Sequence, residues 1–414
     1  MGSSEYRLYT LDNGLRVAHY KTPSTNILHC GYVIHAGSRN DGEMPGLAHF
    51  LEHMFFKGTK NRKTIHVLNH LEVVGGELNA FTTKEITAIY ATVQKKHLGR
   101  AIDILTDITF NSTFIENEIQ KEKIVIKDEI NMYLDSPEEN IYDEFQELVF
   151  NNHPIAHNIL GNSNSVESIS KSNLLSFVDK YYHPENMVFV VVGNISIERV
   201  VNHLNKHSNN LKFNDFQKTN NSSLFKYEHP QRVEKRLDFG QSYAIMGIPT
   251  YSETNQKRYP LFLLNNLLGG PGMNSRLNIA IREKYGYTYH IESGFQTFED
   301  TGLFHCYLSC EEKYLKKSIE LIEKQLHKLK NDALGRIQLS QAKNQLIGQL
   351  VLANEARSGL ILHIGKGILK HGKANSIEET IRNIQSISAL DLMDVANEVL
   401  KLDQFSHLYY LPEK

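Results

Sequence analysis

The sequence predicts an α+β protein built from two homologous domains in tandem, and three observations predict it. Strand-like runs alternate with longer helical periodicities in both halves of the 414-residue chain. The order of those elements in the second half repeats that of the first. Between the halves, Asn205 to Gln231 is rich in Asn, Lys, Ser and Gln and poor in large apolar residues, as a connection between domains is. At roughly 100–200 residues per domain the chain is too long for one. A repeat of roughly 200 residues marks a duplicated domain rather than a solenoid. The expected division is residues 1–208, a linker over 209–231, and 232–414.

The elements follow in order. LRVAHY and ILHCGYVIHAG read as strands, bounded by DNG and Gly37-Ser38. Gly46 to Phe56 has helical periodicity, with Pro45 at its entry. TIHVLNHLEVV is a second helix, and ELNAFTTKEITAIYATV past Gly75-Gly76 is strand-like. A long helical region runs from about Lys96 to Tyr142, broken near Asn111 and Ser112, and HPENMVFVVVGNI is a buried strand. In the second half QSYAIMGIPT takes the place of the opening strand and YPLFLLNNLLGG that of the Gly46 helix. YGYTYHIESGFQTFEDTGLFHCYLSC replaces the Asn79 strands, and YLKKSIELIEKQLHKL replaces HLGRAIDILTDITF. RIQLSQAKNQLIGQLVLANEARSGLIL parallels EIQKEKIVIKDEINMYLDSPEENIYDEF.

With 41% apolar and 22% charged residues, the composition is that of an ordinary globular protein with a sizeable core. A formal net charge of −2 and the lack of a long basic run argue against nucleic acid as a partner. No stretch has the length and apolarity of a membrane-spanning helix, so no membrane partner is expected. MGSSEYRLYTLDNGL has neither a secretory h-region nor a basic amphipathic pattern, and Tyr6 stands where myristoylation wants Ser or Thr. A cytoplasmic location is the expectation, with mitochondrial matrix or periplasm the alternatives had a targeting segment been removed. Three cysteines, Cys30, Cys306 and Cys310, suit a reducing compartment better than a disulfide framework. A metal store from His305, Cys306 and Cys310 fails on strand geometry, because His305 points away from the face the two thiols share.

GLAHFLEHMFF, Gly46 to Phe56, carries the chemistry. On a helix, residues four apart lie roughly 40° apart around the axis. His49 and His53 therefore aim two imidazoles at one point, as a zinc site needs. Glu52 falls beside them, placed to hold a water without ligating. Zinc takes a third protein ligand and leaves its fourth position open. With 20 His in the chain, such pairs also arise by chance. His66 and His70 have the same spacing, with Asn69 where a base would stand, and read as ordinary surface or packing residues. The His49 pair differs in its glutamate and in an otherwise apolar helix, where unpaired polar groups cost free energy.

HxxEH is the inverted zinc motif of the inverzincins. GLAHFLEHMFFKGT, GGELNAFTTKEIT, IVIKDEI, HPENMVFVVVGNI and REKYGYTYHI together resemble the pitrilysin family of metallopeptidases, over essentially the whole chain. That family includes insulin-degrading enzyme and the mitochondrial processing peptidase, and the chain has the size of the processing-peptidase-like branch. The resemblance implies two α/β-roll domains, each a mostly antiparallel sheet packed against helices, in a dimer that forms a clam-shell chamber. It implies one Zn2+ per chain, held in the first domain. The family's third ligand is a glutamate about 76 residues past the second histidine, which here is Glu129. A second family glutamate, two helical turns earlier, orients a ligating histidine, and Glu122 matches it. Read alone, Glu122 is equally a solvated helix charge between Lys121 and Lys123. Glu52 takes the role of general base.

The resemblance also assigns substrate contacts. Asn79, Ala80 and Phe81 match an exposed edge that pairs with an extended peptide, although an ordinary strand with Phe81 in the core fits the pattern too. Arg282 and Tyr289 match a pair that holds a peptide carbonyl and the carbonyl that develops charge. Because one chain carries both sets, a homodimer with two composite sites is implied. The Leu267 to Leu277 loop, LLGGPGMNSRL, resembles one that engages substrate in the processing peptidase and lacks a phosphate-loop pattern. Glu139 and Asp143, four apart, match acidic residues that hold a substrate arginine, while SPEENIYDE also reads as a solvated helix start. The implied activity is a zinc metalloendopeptidase acting on unfolded or presequence-like peptides. A general peptide scavenger and a non-catalytic structural or partner subunit of the same fold are the alternatives.

Overall fold

The computed structural model describes residues 6–413 apart from 23–24, 209–210, 212, 214–215, 217–224, 226, 228 and 355–356. Most of the expected linker thus lies outside the described residues. Two sheets organise the chain. The first holds β1 (Tyr6–Thr10), β2 (Arg16–Lys21), β3 (Ile27–Ile34), β4 (Glu77–Thr82), β5 (Thr87–Gln94) and β6 (Met187–Gly193). Its strand order is β1-β2-β6-β3-β5-β4, antiparallel except for the β2/β6 pair. The second holds β7 (Arg232–Leu237), β8 (Ser242–Thr250), β9 (Thr288–Thr297), β10 (Gly302–Cys310) and β11 (Ser406–Pro412).

Its order, β7-β11-β8-β10-β9, is that of the first sheet without β1. The parallel pair, β7/β11, recurs at the same place as β2/β6. The duplication read from the sequence is therefore a duplication of topology, and each copy is an α+β unit with a mostly antiparallel sheet. β4 and β9 occupy corresponding edges.

A cut at the linker would separate the contiguous halves, but the compact units exchange two segments. One unit comprises Met1–Asn131, His157–Asn220 and Ala353–Ser376; the other comprises Met132–Ala156, Asn221–Leu352 and Ile377–Lys414. In the first unit, the Leu98–Phe110 helix packs on β3 and β5. The Arg357–His371 helix, late in the sequence, sets Leu360, Ile361, Ile364 and Ile368 against Val33, Val188, Val190 and Val192. The contact is close at Gly365, where an added Cβ would lie 2.5 Å from the Val33 side chain. In the second unit, the Pro137–Phe150 helix lays Ile141, Phe145 and Val149 against Tyr243, Ile245, Tyr307 and Leu408. The other face of that sheet is covered by the Arg258–Gly269, Glu312–Asn331 and Ala389–Val399 helices.

Cys306 and Cys310 lie in that apolar cluster, and all three cysteines are buried and free, with burial pushing the Cys30 and Cys310 thiols up to about 12. Among the described residues, no helix is long and apolar enough to cross a membrane.

Candidate metal centre

The Leu47–Met54 helix is eight residues long, and its burial of Leu47, Ala48, Phe50, Leu51 and Met54 leaves it little solvated surface. A helix this short does not hold itself in water. Its first turn is tied instead to Asp41, whose Oδ2 accepts from the Gly46 N–H at 2.7 Å and whose Oδ1 accepts from the Ala48 N–H at 2.9 Å. Burial, against those hydrogen bonds, pushes the Asp41 carboxyl up to about 7. Gly46 enters the helix at φ +96°, open to glycine at little cost, and a Cβ there would meet Leu160 O at 2.5 Å.

Glu122 and Glu129 stand on the Glu116–Leu134 helix, seven apart and so on one face. Lys123 Nζ anchors that helix to Glu167 O at 2.6 Å. The two helices bring together one ligand atom each from His49, His53 and Glu129, all within 4.8 Å of one another. Glu129 Oε2 lies 3.4 Å from His49 Nε2 and 3.7 Å from His53 Nε2, with the two rings 4.6 Å apart. Two imidazole nitrogens and one carboxylate oxygen are the donors of a catalytic zinc. Burial opposes a charge on His49, but the Glu129 and Glu52 carboxylates overcome it and hold the imidazole at about 9. Glu129 is lowered in turn, first by its hydrogen bond with His49.

Glu52 Oε2 lies 3.7 Å from His49 Nδ1, beyond hydrogen-bond reach, and is buried with no hydrogen-bond partner among the described residues. An orphaned carboxylate oxygen beside a cluster of donors fits a site built to receive an ion and a water. His53 Nδ1 faces Glu122 Oε1 at 2.8 Å, and Lys57 Nζ faces Glu122 Oε2 at 2.6 Å. Burial would raise the Glu122 carboxyl, but the hydrogen bonds from His53 and Lys57 outweigh it and lower it. By contrast His66 and His70 gather no such set: His70 Nε2 lies 3.7 Å from Asp103 Oδ2, which also binds Arg62.

Asn79, Ala80 and Phe81 lie on the edge strand β4, which among the described residues pairs with β5 alone. Asn79 is opposite Tyr90, and the Phe81 and Tyr90 rings meet edge to face at 5.9 Å. Tyr90, unnoticed in the sequence, is raised first by burial and then by the Glu77 and Glu52 charges. In the other unit, Arg282 sits in a π-helical turn, Asn278–Glu283, with its guanidinium 5.6 Å from the Tyr289 ring centre. Tyr289 is 86% exposed on β9. Glu139 and Asp143 lie on the Pro137–Phe150 helix of that unit, and the donor cluster of the first unit does not include them.

Known proteins carry the same plan. Residues 16–163 match the family described as Insulinase (Peptidase family M16), and residues 168–346 match the Peptidase M16 inactive domain. A Bacillus subtilis protein described as an uncharacterized zinc protease is 32% identical over 95% of this chain and 96% of its own length. The chain belongs to the M16 peptidase family. An uncharacterized zinc protease of Rickettsia felis is 33% identical over 95% of both chains. Among solved structures, a protease from Helicobacter pylori superposes with a TM-score of 0.90 at 22% identity, covering 99% of this chain and 100% of that one. An M16-like peptidase from Alicyclobacillus acidocaldarius gives 0.87 at 21% identity over 100% and 99%. At those identities the two structures speak for the M16 fold alone. The pitrilysin resemblance and the M16 assignment name one family.

Proposed function

We propose that this protein is a zinc metalloendopeptidase that cleaves peptides held as an added strand along β4, with one zinc per chain. The observation that carries the reading is the convergence of His49, His53 and Glu129 within 4.8 Å, beside a buried Glu52 oxygen that has no hydrogen-bond partner among the described residues. His49, His53 and Glu129 would hold the zinc, which would supply Lewis acidity and lower the pKa of a water. Glu52 takes the proton of the attacking water and delivers it to the leaving amine. Glu122 keeps His53 oriented. The free edge of β4 offers backbone hydrogen bonds to an extended substrate, with Asn79, Ala80 and Phe81 along it.

Arg282 and Tyr289 of a second copy complete each site, so the working form is a homodimer whose chamber admits unfolded peptides and excludes folded proteins. Glu139 and Asp143 give a preference for arginine-containing substrates. A non-catalytic scaffold of the same fold would have no use for the intact donor set. The test is zinc content together with cleavage of a quenched arginine-containing peptide, on wild type and on Glu52→Gln. Wild type holding about one zinc per chain and cleaving, with the variant loaded but inert, is the expected result. Wild type that binds no zinc and stays inert when zinc is supplied overturns the reading.

A further inference from the structure

We propose that Lys57 is a positioning residue of the metal centre: by holding one oxygen of Glu122 it commits the other to His53, and so decides which nitrogen His53 presents to the ion. This rests on the zinc-peptidase reading above.

An imidazole ligates through Nε2 when its proton sits on Nδ1, and a hydrogen bond at Nδ1 selects that tautomer. Here Nδ1 faces Glu122 Oε1 at 2.8 Å, while Nε2 points to the Glu129 side. A carboxylate offers two oxygens, and each must be satisfied when buried. The Glu122 side chain is only 4% exposed, and Lys57 Nζ takes its second oxygen at 2.6 Å. With that oxygen occupied, Oε1 is left to accept from His53. Without the ammonium, Oε2 is buried without a partner, and the carboxylate reorients to satisfy it, loosening the acceptor that orients the ring. Lys57 is also the cation paired with Glu122 in a neighbourhood that gathers the carboxylates of Glu52, Glu122 and Glu129 around two histidines.

The local fold keeps Lys57 in place. After Met54 the chain closes tightly, with the Phe56 N–H on His53 O and the Lys57 N–H on Met54 O. Gly58 then turns it away at φ +113°. Gly58 O accepts from the Thr113 N–H, and Thr59 Oγ1 donates to Asp107 Oδ2 at 2.7 Å, which clamps the chain just past Lys57. The backbone of Lys57 is thus fixed one turn beyond His53. Its side chain, 27% exposed, reaches a buried oxygen of Glu122.

The experiment measures zinc dissociation constants by chelator competition at one neutral pH, on full-length chain stripped of metal, with the metal-free melting temperature of each variant alongside. Lys57→Met is expected to weaken zinc by about 10–100-fold, and Glu122→Gln similarly. Lys57→Arg, which keeps the charged donor, stays within about threefold of wild type. The Lys57→Met, Glu122→Gln double variant binds no more weakly than Glu122→Gln alone, because one effect runs through the other. Should Lys57→Met not fold, Lys57→Gln takes its place. Zinc affinity unchanged in Lys57→Met, or two losses that simply add, overturns the proposal while leaving a zinc-binding, cleaving wild type as it stands. A lowered metal-free melting temperature with unchanged affinity means a merely structural lysine and overturns it too. Wild type that takes up no zinc overturns the peptidase reading and this one with it.

Discussion

Lys370 and Glu85, 285 positions apart in the chain, form a buried ion pair, their side chains 1% and 6% exposed. Arg39 Nη1 binds the other Glu85 oxygen at 2.8 Å. Glu85 lies in the turn between β4 and β5, and the backbone of Ser38 and Arg39 bonds Thr83 and Lys84 in the same turn. A helix from the far end of the chain is therefore fastened to the connection beside the edge strand. Removing one member of a buried ion pair costs about 3–5 kcal/mol when the other charge is left unpaired, and Arg39, still on Glu85, holds the cost of losing Lys370 below that. Lys370→Met should lower the melting temperature clearly, and Glu85→Gln should lower it further, because it takes the carboxylate from both Lys370 and Arg39. A Lys370→Met protein that melts like wild type would mean that the pair does not fasten the helix.

The cap on the helix of His49 and His53 gives a second prediction. Asp41 reaches the Gly46 and Ala48 N–H groups from outside the helix, so Asp41→Ala should cost about 1–2 kcal/mol of stability, the usual loss of an N-cap. Gly46→Ala should cost more, since it adds strain at φ +96° to a clash with Leu160 O. Both should weaken zinc binding without touching a ligand. Urea midpoints and zinc titrations on the two variants check this, and undiminished zinc affinity in both would show that the helix holds its place without the cap.

How much of this was legible in the sequence depended on how far apart the partners lie. His49, Glu52 and His53 are within five positions, so helical periodicity alone placed them on neighbouring faces. Glu129 and Glu122 needed the family resemblance, because no local rule joins them to a helix some 70 residues earlier. Lys57 went unread for the same reason, whereas Asp41 went unread because it caps the Gly46 and Ala48 N–H groups from five and seven residues away rather than from the N-cap position. The helical pattern reads from Lys96 to about Tyr142, and SPEENIYDE also reads as a solvated helix start, so nothing in it tells that Ile141, Phe145 and Val149 pack on the second sheet. β1 and β7 escaped because YRLYT and RVEKRL are largely exposed and lack a buried alternating face. Tyr90 is found by cross-strand pairing, which needs the β4/β5 register.

Acid should weaken the second unit through His305. Burial drops this imidazole to about 4 from its ordinary 6.5, with the Glu292 charge opposing. His407 falls to about 4 as well, by burial and then by Arg232. Between pH 6.5 and about 4 the unfolded chain binds protons that the folded chain refuses, so stability declines as pH falls through that window and is insensitive to these groups above it. His305→Leu should remove about one proton from the slope of unfolding free energy against pH there. Urea denaturation at pH steps across the window measures it, and an unaltered slope would mean that His305 is protonated in the fold.

Tyr289 offers the cleanest separation of activity from stability. At 86% exposure its ring contributes little to packing, and its near contact is the Arg282 guanidinium at 5.6 Å from the ring centre. An exposed cation–ring contact of that kind is worth about 0.5–1 kcal/mol at most, and Phe retains it. Tyr289→Phe should therefore melt like wild type. If the hydroxyl donates to the carbonyl that gains charge, its loss removes an interaction made mainly in the transition state. The expected signature is kcat lower by about 10²–10³ with KM little changed, the size of losing one such donor. Arg282→Met should instead raise KM, because a guanidinium on a distant peptide carbonyl holds ground state and transition state alike. Steady-state cleavage of the quenched peptide separates the two effects, and a Tyr289→Phe enzyme with wild-type kcat would remove Tyr289 from the chemistry.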